Sequence, residues 1–290
     1  MIEKNNIVKN KKLNRLTWFG VGGTSKIYFQ PETEEDLISF LKKNKSNLNI
    51  YPLGAGSNIV IRDKGYNGII IHFNKLNKIS IDNMGTITSY CGAMDAEVAR
   101  FARNNSRSGL EFLIGIPGTI GGGIRMNSGA YGSEIKNFLI NVIAVNKKGI
   151  LKTFTVEELG LNYRSNSLSQ EWMFLKANFR SNKGSINRIQ DKMKEIIKSR
   201  KDSQPTGLKT GGSTFMNGKD FKAWELIDNA GCRGLKVGGA VISEKHCNFI
   251  INENCASATD IENLGELVRE KVFKKTGRKL NWEIKIIGEK

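Results

Sequence analysis

The sequence predicts an α+β protein of about two domains, on three observations. Its 290 residues are enough for two separate cores. Up to about residue 179, short apolar runs bounded by Gly, Asn and Asp alternate with only a few helical patterns, which is not the regular alternation of a doubly wound sheet. Near residues 181–185 the character changes to longer helical periodicity. The loop Pro52-Leu53-Gly54-Ala55-Gly56-Ser57-Asn58 runs directly into Ile59-Val60-Ile61. A β-branched run stands where a dinucleotide fingerprint needs its third glycine and a helix, so that fingerprint is excluded. No Gly-Lys-Ser/Thr closes either major glycine loop, which excludes a P-loop.

Taken in order, residues 1–16 are expected to be a poorly ordered arm. Thr17-Trp18-Phe19-Gly20-Val21-Gly22-Gly23 is a glycine turn, and residues 26–30 a strand. Thr33-Glu34-Glu35-Asp36 is a capping sequence for a helix with Leu37, Phe40 and Leu41 inward and lysines at its end. Residues 49–53, 58–62 and 68–73 are expected strands, and 78–82 with 86–91 a hairpin around Asn83-Met84-Gly85. Asp95 is expected to cap a helix reaching about residue 106. Lys147-Lys148-Gly149 marks a hairpin between 142–146 and 150–154, and 172–179 is a further strand. Ser185 is expected to cap a helix with Ile186, Ile189, Met193, Ile196 and Ile197 on one face. Helices near 222–230 and 259–275 and strands near 248–252 and 280–287 complete the chain. The expected organisation is an arm over 1–16, one domain over 17–183 and a second over 184–290.

Composition narrows function. Hydrophobic residues make up 39% and charged residues 25%, as in an ordinary globular protein. No apolar run approaches the roughly 18–20 residues that span a bilayer, and the lysine-bearing start lacks the apolar core of a secretory signal. A cytoplasmic protein without membrane insertion is expected. Cys91, Cys232, Cys247 and Cys255 form no CxxC pair and only His72 and His246 are available beside them, so no metal site is expected. No G-x-S-x-G elbow is present. The net charge of +17 is scattered over short clusters such as Lys42-Lys43 and Lys274-Lys275. That pattern favours small anionic substrates over nucleic acid, for which no recognition element is found.

The stretch LIGIPGTIGGGIRMNSGAYG, residues 113–132, organises the rest. Seven of its residues, Gly115, Gly118, Gly121, Gly122, Gly123, Gly129 and Gly132, leave the backbone bare for close approach. Pro117 stiffens the entry, and Thr119 and Ile120 are expected to open a short helix whose free N–H groups would face an anion. The physical reading is a diphosphate cradle, and the alternative is an ordinary glycine-rich turn.

TWFGVGG (17–23), PLGAGSN (52–58), GLEFLIGIPGTIGGGIRMNSGAYG (109–132), YRSN (163–166), GGSTFMN (211–217), ISEKHCNFIIN (242–252) and WEIKIIG (282–288) in this order resemble the UDP-N-acetylenolpyruvoylglucosamine reductase family along nearly the whole chain. The resemblance implies a two-subdomain FAD-binding fold of the vanillyl-alcohol-oxidase type, followed by a smaller α+β substrate domain. It implies cofactor contacts from Gly54, Ala55, Gly56, Ser57 and Asn58, and from Pro117, Gly118, Thr119, Gly121, Gly122, Met126, Asn127, Gly129 and Ala130. Neither glycine loop holds His or Cys, so the FAD is expected to be non-covalent.

The family reaction delivers a hydride from reduced flavin to the terminal carbon of an enolpyruvyl ether, with NADPH as the source of electrons. Charge then develops beside a carboxylate. The resemblance assigns Arg164 and Glu283 to that centre and Ser213 as the acid that protonates the second carbon, with Thr214 as the neighbouring rival. It implies substrate contacts from Tyr131, Arg200, Lys209 and Asn217. His246 is read as supporting a turn. Gly218 stands where the family commonly has proline, which puts the path of that loop in question. Little room follows Arg164 before the next strand, as in the shorter subtype that lacks an extra tyrosine-bearing loop. The expected partners are the enolpyruvyl UDP sugar and NADPH, with the chain a monomer. An oxidase on the same flavin fold and a basic nucleic-acid-binding protein are the competing readings.

Overall fold

A computed structural model describes Asn6–Lys290; residues 1–5, part of the expected arm, lie outside the described residues. The chain forms two compact units, neither continuous in sequence. Among the described residues, the first comprises 6–8, Ile27–Ala55 and Gly68–Ser199, and the second Lys9–Lys26, Gly56–Asn67 and Arg200–Lys290. These limits are set by packing. The functional division at residue 183 is taken up below.

The first unit is built on a five-stranded antiparallel sheet, in the order Leu151–Thr155, Leu139–Asn146, Trp172–Phe179, Ile87–Tyr90, Ile79–Ile81. Both expected hairpins are present, with Val142 opposite Phe154 and Ser80 opposite Thr88. The central strand Trp172–Phe179 serves two cores by simple alternation. Phe174 joins one cluster with Val98, Phe112, Leu113, Ile120 and Ile124. Met173 and Leu175 join another with Phe29, Leu37, Phe40, Ile69 and Ile71. Ile50–Leu53 pairs in parallel with Ile69–His72.

The helix α1 (Glu34–Lys43) forms as its sequence requires. Thr33 Oγ1 accepts the Asp36 N–H at 3.1 Å and Asp36 Oδ2 accepts the Thr33 N–H at 3.1 Å. Acidic residues fill its first turn and lysines its last, as the helix dipole favours. Four more helices follow: α2 (Asp95–Asn104), α3 (Ile120–Arg125), α4 (Val156–Leu159) and α5 (Ile186–Ser203). Along α5 only Ile189, Met193 and Ile196 are buried, whereas Ile186 and Ile197 remain 46% and 49% exposed. The apolar stripe is therefore narrower than the five residues expected from periodicity.

Asp95 is a second correction. It is not the cap of α2 but lies inside its first turn, with Met94 at the cap position. Its side chain is fully buried, and neither carboxyl oxygen has a hydrogen-bond partner. Burial raises its pKa from 3.8 to about 8.

In the second unit, α6 (Ala223–Asn229) and α7 (Ala258–Thr276) lie with an antiparallel sheet in the order Thr210–Ser213, Phe249–Asn252, Ala240–Ile242, Lys236–Val237. Ile227, Ile242, Ile250, Ile261, Leu264 and Val268 form its core with Phe19 and Val60. Ser257 caps α7, and the Asp63 carboxylate accepts the N–H groups of Ala258 and Thr259, both at 2.9 Å. Gly277 ends it in the left-handed region. Ile59–Ile61 pairs in parallel with Lys285–Ile287, so the strand expected over 280–287 is shorter.

The arm expected over 1–16 is ordered where it is described. Ile7–Lys12 is a strand and Asn14–Leu16 a 3-10 turn. Leu13, with 0% exposure, anchors the segment, and its N–H bonds to the Gly23 carbonyl at 2.9 Å. The strand is hydrogen-bonded to Thr24–Phe29 at the edge of a four-stranded sheet, and the buried leucine fixes its end.

Two stability predictions follow from these contacts. At Gly56, φ is +67°, and a Cβ would stand 1.9 Å from the Leu16 carbonyl oxygen. Gly56→Ala should cost at least about 2 kcal/mol and lower Tm by about 5 °C or more in a calorimetric scan; an unchanged Tm would contradict the close approach. Asp95 binds its proton more tightly folded than unfolded, so its contribution is present at pH 4 and lost as pH rises towards 8. Urea unfolding of Asp95→Asn should therefore match the parent near pH 4 and exceed it above pH 8. A difference that does not grow with pH would count against a buried neutral carboxyl.

Candidate active site

In the first unit the two glycine loops meet. A Cβ on Gly54 would stand 2.2 Å from Thr119 Oγ1, so only bare backbone passes there. Thr119 is 2% exposed and precedes α3, the short helix expected from the sequence. Its first N–H groups are not free for an anion, however. Ile120 N–H bonds to the Ala93 carbonyl at 3.0 Å, Gly121 N–H to Cys91 at 2.9 Å and Gly123 N–H to Thr119 at 2.8 Å. The segment Cys91–Asp95 thus braces the stretch, with Asp95 N–H on the Gly118 carbonyl at 3.0 Å. Gly122 is the exposed glycine of the helix, and a Cβ there would meet only Thr119 Oγ1, at 3.8 Å. Bare, accessible backbone at Gly122 beside the Gly54 crossing fits a flat, anionic group laid against the main chain.

Pro117 and Met126 are half-buried. Asn127 is fully buried, and its side chain is engaged within the protein. Its Nδ2 donates to Glu134 Oε2 at 2.8 Å and to the Asn162 carbonyl at 3.2 Å, while Oδ1 accepts the Lys136 N–H at 3.1 Å. Its side chain organises two loops. Gly129-Ala130 forms a two-residue strand opposite Ser133-Glu134. Tyr131 follows at φ +55°, 40% exposed, its ring crossing Gly115, where a Cβ would meet Tyr131 Cε2 at 2.6 Å.

Beside Gly54, His72 is buried and held near neutral form: burial lowers its pKa to about 4, opposed by a hydrogen bond to the Gly54 backbone. Tyr28 Oη lies 2.8 Å from His72 Nδ1.

Arg164 stands at the tip of a tight turn in the same unit. Asn162 and Ser165 form an antiparallel bridge, leaving Tyr163 and Arg164 as the turn residues. Arg164 adopts φ +52°, its Nη2 donates to the Gly129 carbonyl at 3.3 Å, and its guanidinium carbon lies 5.0 Å from the Tyr163 ring centroid.

The second unit gathers Ser213, Glu283 and Asn58. Thr210–Ser213 pairs with Phe249–Asn252, with Ser213 opposite Phe249. Beyond it the Thr214 carbonyl accepts the Glu283 N–H at 2.8 Å, and Phe215 bridges to Trp282. Asn58 Nδ2 donates to the Glu283 carbonyl at 3.2 Å, and the Asn58 carbonyl accepts the Lys285 N–H at 3.1 Å. Ser213 and Glu283 therefore sit on adjoining segments of one framework. Thr214, the rival to Ser213, is 1% exposed, and its hydroxyl accepts the Ile250 N–H at 3.3 Å. Gly211 lets the strand pass the Phe19 ring, 2.3 Å from where a Cβ would stand, and Gly212 has φ +79°.

Of the remaining substrate candidates, Lys209 is exposed with its stem along Gly20, and Arg200 Nε donates to Gln204 at 3.3 Å. Asn217 Oδ1 accepts the Ala223 N–H at 2.9 Å, so it caps α6. Gly218 N–H bonds to the Phe221 carbonyl at 3.1 Å, closing the loop that proline would have opened. Ser57 and Ala55 flank the crossing glycines, each half-buried.

His246 behaves as a turn support. Its N–H bonds to Ser243 Oγ at 3.2 Å, its Nδ1 accepts the Asn248 N–H at 3.3 Å, and burial lowers its pKa. Sequence reasoning missed Asn248, which is 4% exposed and holds both polar groups of Phe215, accepting its N–H at 3.0 Å and donating to its carbonyl at 2.9 Å. Its only signal was a polar side chain opening an apolar run. Arg125 was also missed and is treated below. Among the described residues no group of His, Cys, Asp and Glu could hold a metal, and no helix is long and apolar enough to cross a membrane.

Comparison with known proteins bears on the whole chain. Residues 25–155 match the FAD binding domain model, and 204–287 the model of the UDP-N-acetylenolpyruvoylglucosamine reductase C-terminal domain. A UDP-N-acetylenolpyruvoylglucosamine reductase of Rickettsia massiliae (strain Mtu5) is 50% identical over 289 residues, covering 99% of this chain and 97% of the relative. One of Rickettsia bellii (strain RML369-C) is 47% identical, covering 99% and 96%. The crystal structure of the Thermus caldophilus reductase superposes with a TM-score of 0.83 at 29% identity, covering 97% of this chain and 98% of that one. With both the flavin-binding and the reductase-specific parts matched in order along one chain, this protein belongs to the UDP-N-acetylenolpyruvoylglucosamine reductase family.

Proposed function

We propose that this reductase protonates its substrate through Ser213, with Arg164 stabilising the charge that develops beside the substrate carboxylate and Glu283 assisting at the same centre as a proton-sharing group. The reaction converts the enolpyruvyl ether of a UDP-N-acetylglucosamine to the lactyl ether of UDP-N-acetylmuramate, for peptidoglycan precursor synthesis. The observation that carries the assignment is the bond from Glu283 N–H to the Thr214 carbonyl, which ties the two reacting segments of the second unit together.

The cofactor is FAD, held non-covalently along residues 54–58 and 117–130, with Gly54 and Gly122 presenting bare backbone. When bound and reduced by NADPH, it supplies a hydride for the terminal carbon of the enolpyruvyl group. The residues then face an electrostatic problem, since negative charge spreads towards a group already charged. The Arg164 guanidinium stays protonated at any physiological pH and offers a planar fork to the carboxylate. A preorganised donor of this kind is worth about 3–4 kcal/mol. Ser213 Oγ then gives its proton to the second carbon. A hydroxyl is a weak acid in water, but a carbanion beside a carboxylate is a far stronger base, so the transfer runs downhill once the geometry is held.

Thr214 does not take this role, because it is buried at 1% exposure, whereas Ser213 is half-buried. Gly212, just before Ser213, adopts φ +79° with nothing within 4 Å of a Cβ. Tyr131, Arg200, Lys209 and Asn217 contact the UDP sugar in this reading, with residues 17–183 acting on the flavin and 184–290 on the sugar. The chain acts as a cytoplasmic monomer. NADPH and sugar use one site in turn, which predicts parallel initial-rate plots; intersecting plots would contradict the shared site.

The decisive test follows the flavin spectrum under anaerobic conditions. NADPH should bleach the oxidised spectrum, and the enolpyruvyl sugar should restore it. In Ser213→Ala, bleaching should stay within about threefold of the parent while recovery slows about 10²–10⁴-fold. Recovery at the parental rate would remove Ser213 from the chemistry.

A further inference from the structure

Arg125 ends α3, the helix whose first residues belong to the bare-backbone crossing, and nothing above gives it a task. It is half-buried, and its partners are carbonyl and carboxamide oxygens rather than carboxylates. Nη1 donates to Asn166 Oδ1 at 3.3 Å and to the Leu168 carbonyl at 3.2 Å, and Nη2 to the Trp172 carbonyl at 2.6 Å. Its plane lies over the Phe174 ring at 4.4 Å. Asn166 answers from the other side, donating Nδ2 to the Arg125 carbonyl at 2.7 Å and accepting the Leu168 N–H at 3.0 Å on Oδ1. Two residues further on, Asn127 donates to the Asn162 carbonyl at 3.2 Å.

The turn that carries Arg164 is therefore gripped at both feet, Asn162 by Asn127 and Asn166 by Arg125. Between them stands a non-glycine residue in the left-handed region, a conformation that persists only when its surroundings impose it. We propose that Arg125 and Asn166 form a clamp that positions Arg164 for the substrate carboxylate, and that α3 joins this clamp mechanically to the flavin-binding backbone at its other end. Arg125 is a positioning residue: it touches the loop, not the reacting atoms. The proposal rests on the role given to Arg164 above.

The clamp needs the geometry of a guanidinium, since one group must reach three oxygens through two of its nitrogens. Lysine keeps the charge but not the fork, so Arg125→Lys should rescue little of what Arg125→Met loses.

The test uses the FAD-loaded protein and two readouts, amide hydrogen exchange and the separate half-reactions. In Arg125→Met, residues 162–168 should exchange at least tenfold faster, while 118–124 keep their protection. Flavin bleaching by NADPH should stay within about twofold, and recovery on adding the enolpyruvyl sugar should slow at least tenfold. Unchanged exchange at 162–168, or equal slowing of both half-reactions, would overturn the clamp. If Arg125→Met does not fold, Asn166→Ala removes the reciprocal bonds from the other side and is judged by the same criteria. Arg164→Met, run in parallel, separates the two ideas. If it leaves recovery unchanged, the role of Arg164 falls, while the exchange data still decide whether Arg125 holds the turn.

Discussion

Close approach of bare backbone is the constraint on which the functional parts of this molecule depend. Gly54 passes the Thr119 hydroxyl, Gly56 passes the Leu16 carbonyl, and Gly211 passes the Phe19 ring, each at a distance no Cβ would permit. At Gly56 the left-handed dihedral adds a second reason for glycine. Segments far apart in sequence come together at these crossings with no side chains between them. Other groups, hydroxyls and carboxylates among them, then take their positions from a backbone that has little freedom left.

Asparagine supplies the complementary device. Where a loop has no ladder partner, an Asn side chain stands in for one. Asn248 bonds both polar groups of Phe215, Asn127 spans Glu134, Lys136 and Asn162, and Asn252 donates to the Phe19 carbonyl at 2.7 Å. Each is buried with its carboxamide engaged, so each satisfies backbone groups that would otherwise cost about 1–3 kcal/mol apiece. The reacting residues Ser213 and Arg164 in the proposed mechanism are one or two residues from such a tie. Function here sits on loops, and the loops are held almost as firmly as strands.

Local features of the sequence foretold local structure well. The Thr33–Asp36 capping box, the Lys147-Lys148-Gly149 hairpin and the short helix after Thr119 are each specified within a few residues, and each is present. Long-range features were hidden. Nothing near Ile7–Lys12 signals its order, because that comes from pairing with the later strand Thr24–Phe29 and from Leu13 bonding to Gly23. Asp95 looks like a cap, yet it lies inside the first turn, buried beside Gly123 of helix α3 with neither oxygen bonded. The N–H groups of Ile120 and Gly121 look free for an anion until Cys91 and Ala93 arrive from another segment. The family resemblance supplied the residues proposed to react where spacing alone did not, since Arg164 and Glu283 lie more than a hundred positions apart in unremarkable contexts. Arg125 was invisible for the same reason: its partners lie more than forty residues onward.

The account stands on the claim that Ser213 is turned towards the second carbon of the enolpyruvyl group, with Glu283 at the same centre. A crystal structure of the protein with FAD and the enolpyruvyl UDP sugar tests it most directly. The account predicts Ser213 Oγ within about 3.5 Å of that carbon, with the carboxylate on the Arg164 guanidinium. Ser213 facing away, with Thr214 or a water in its place, would contradict it.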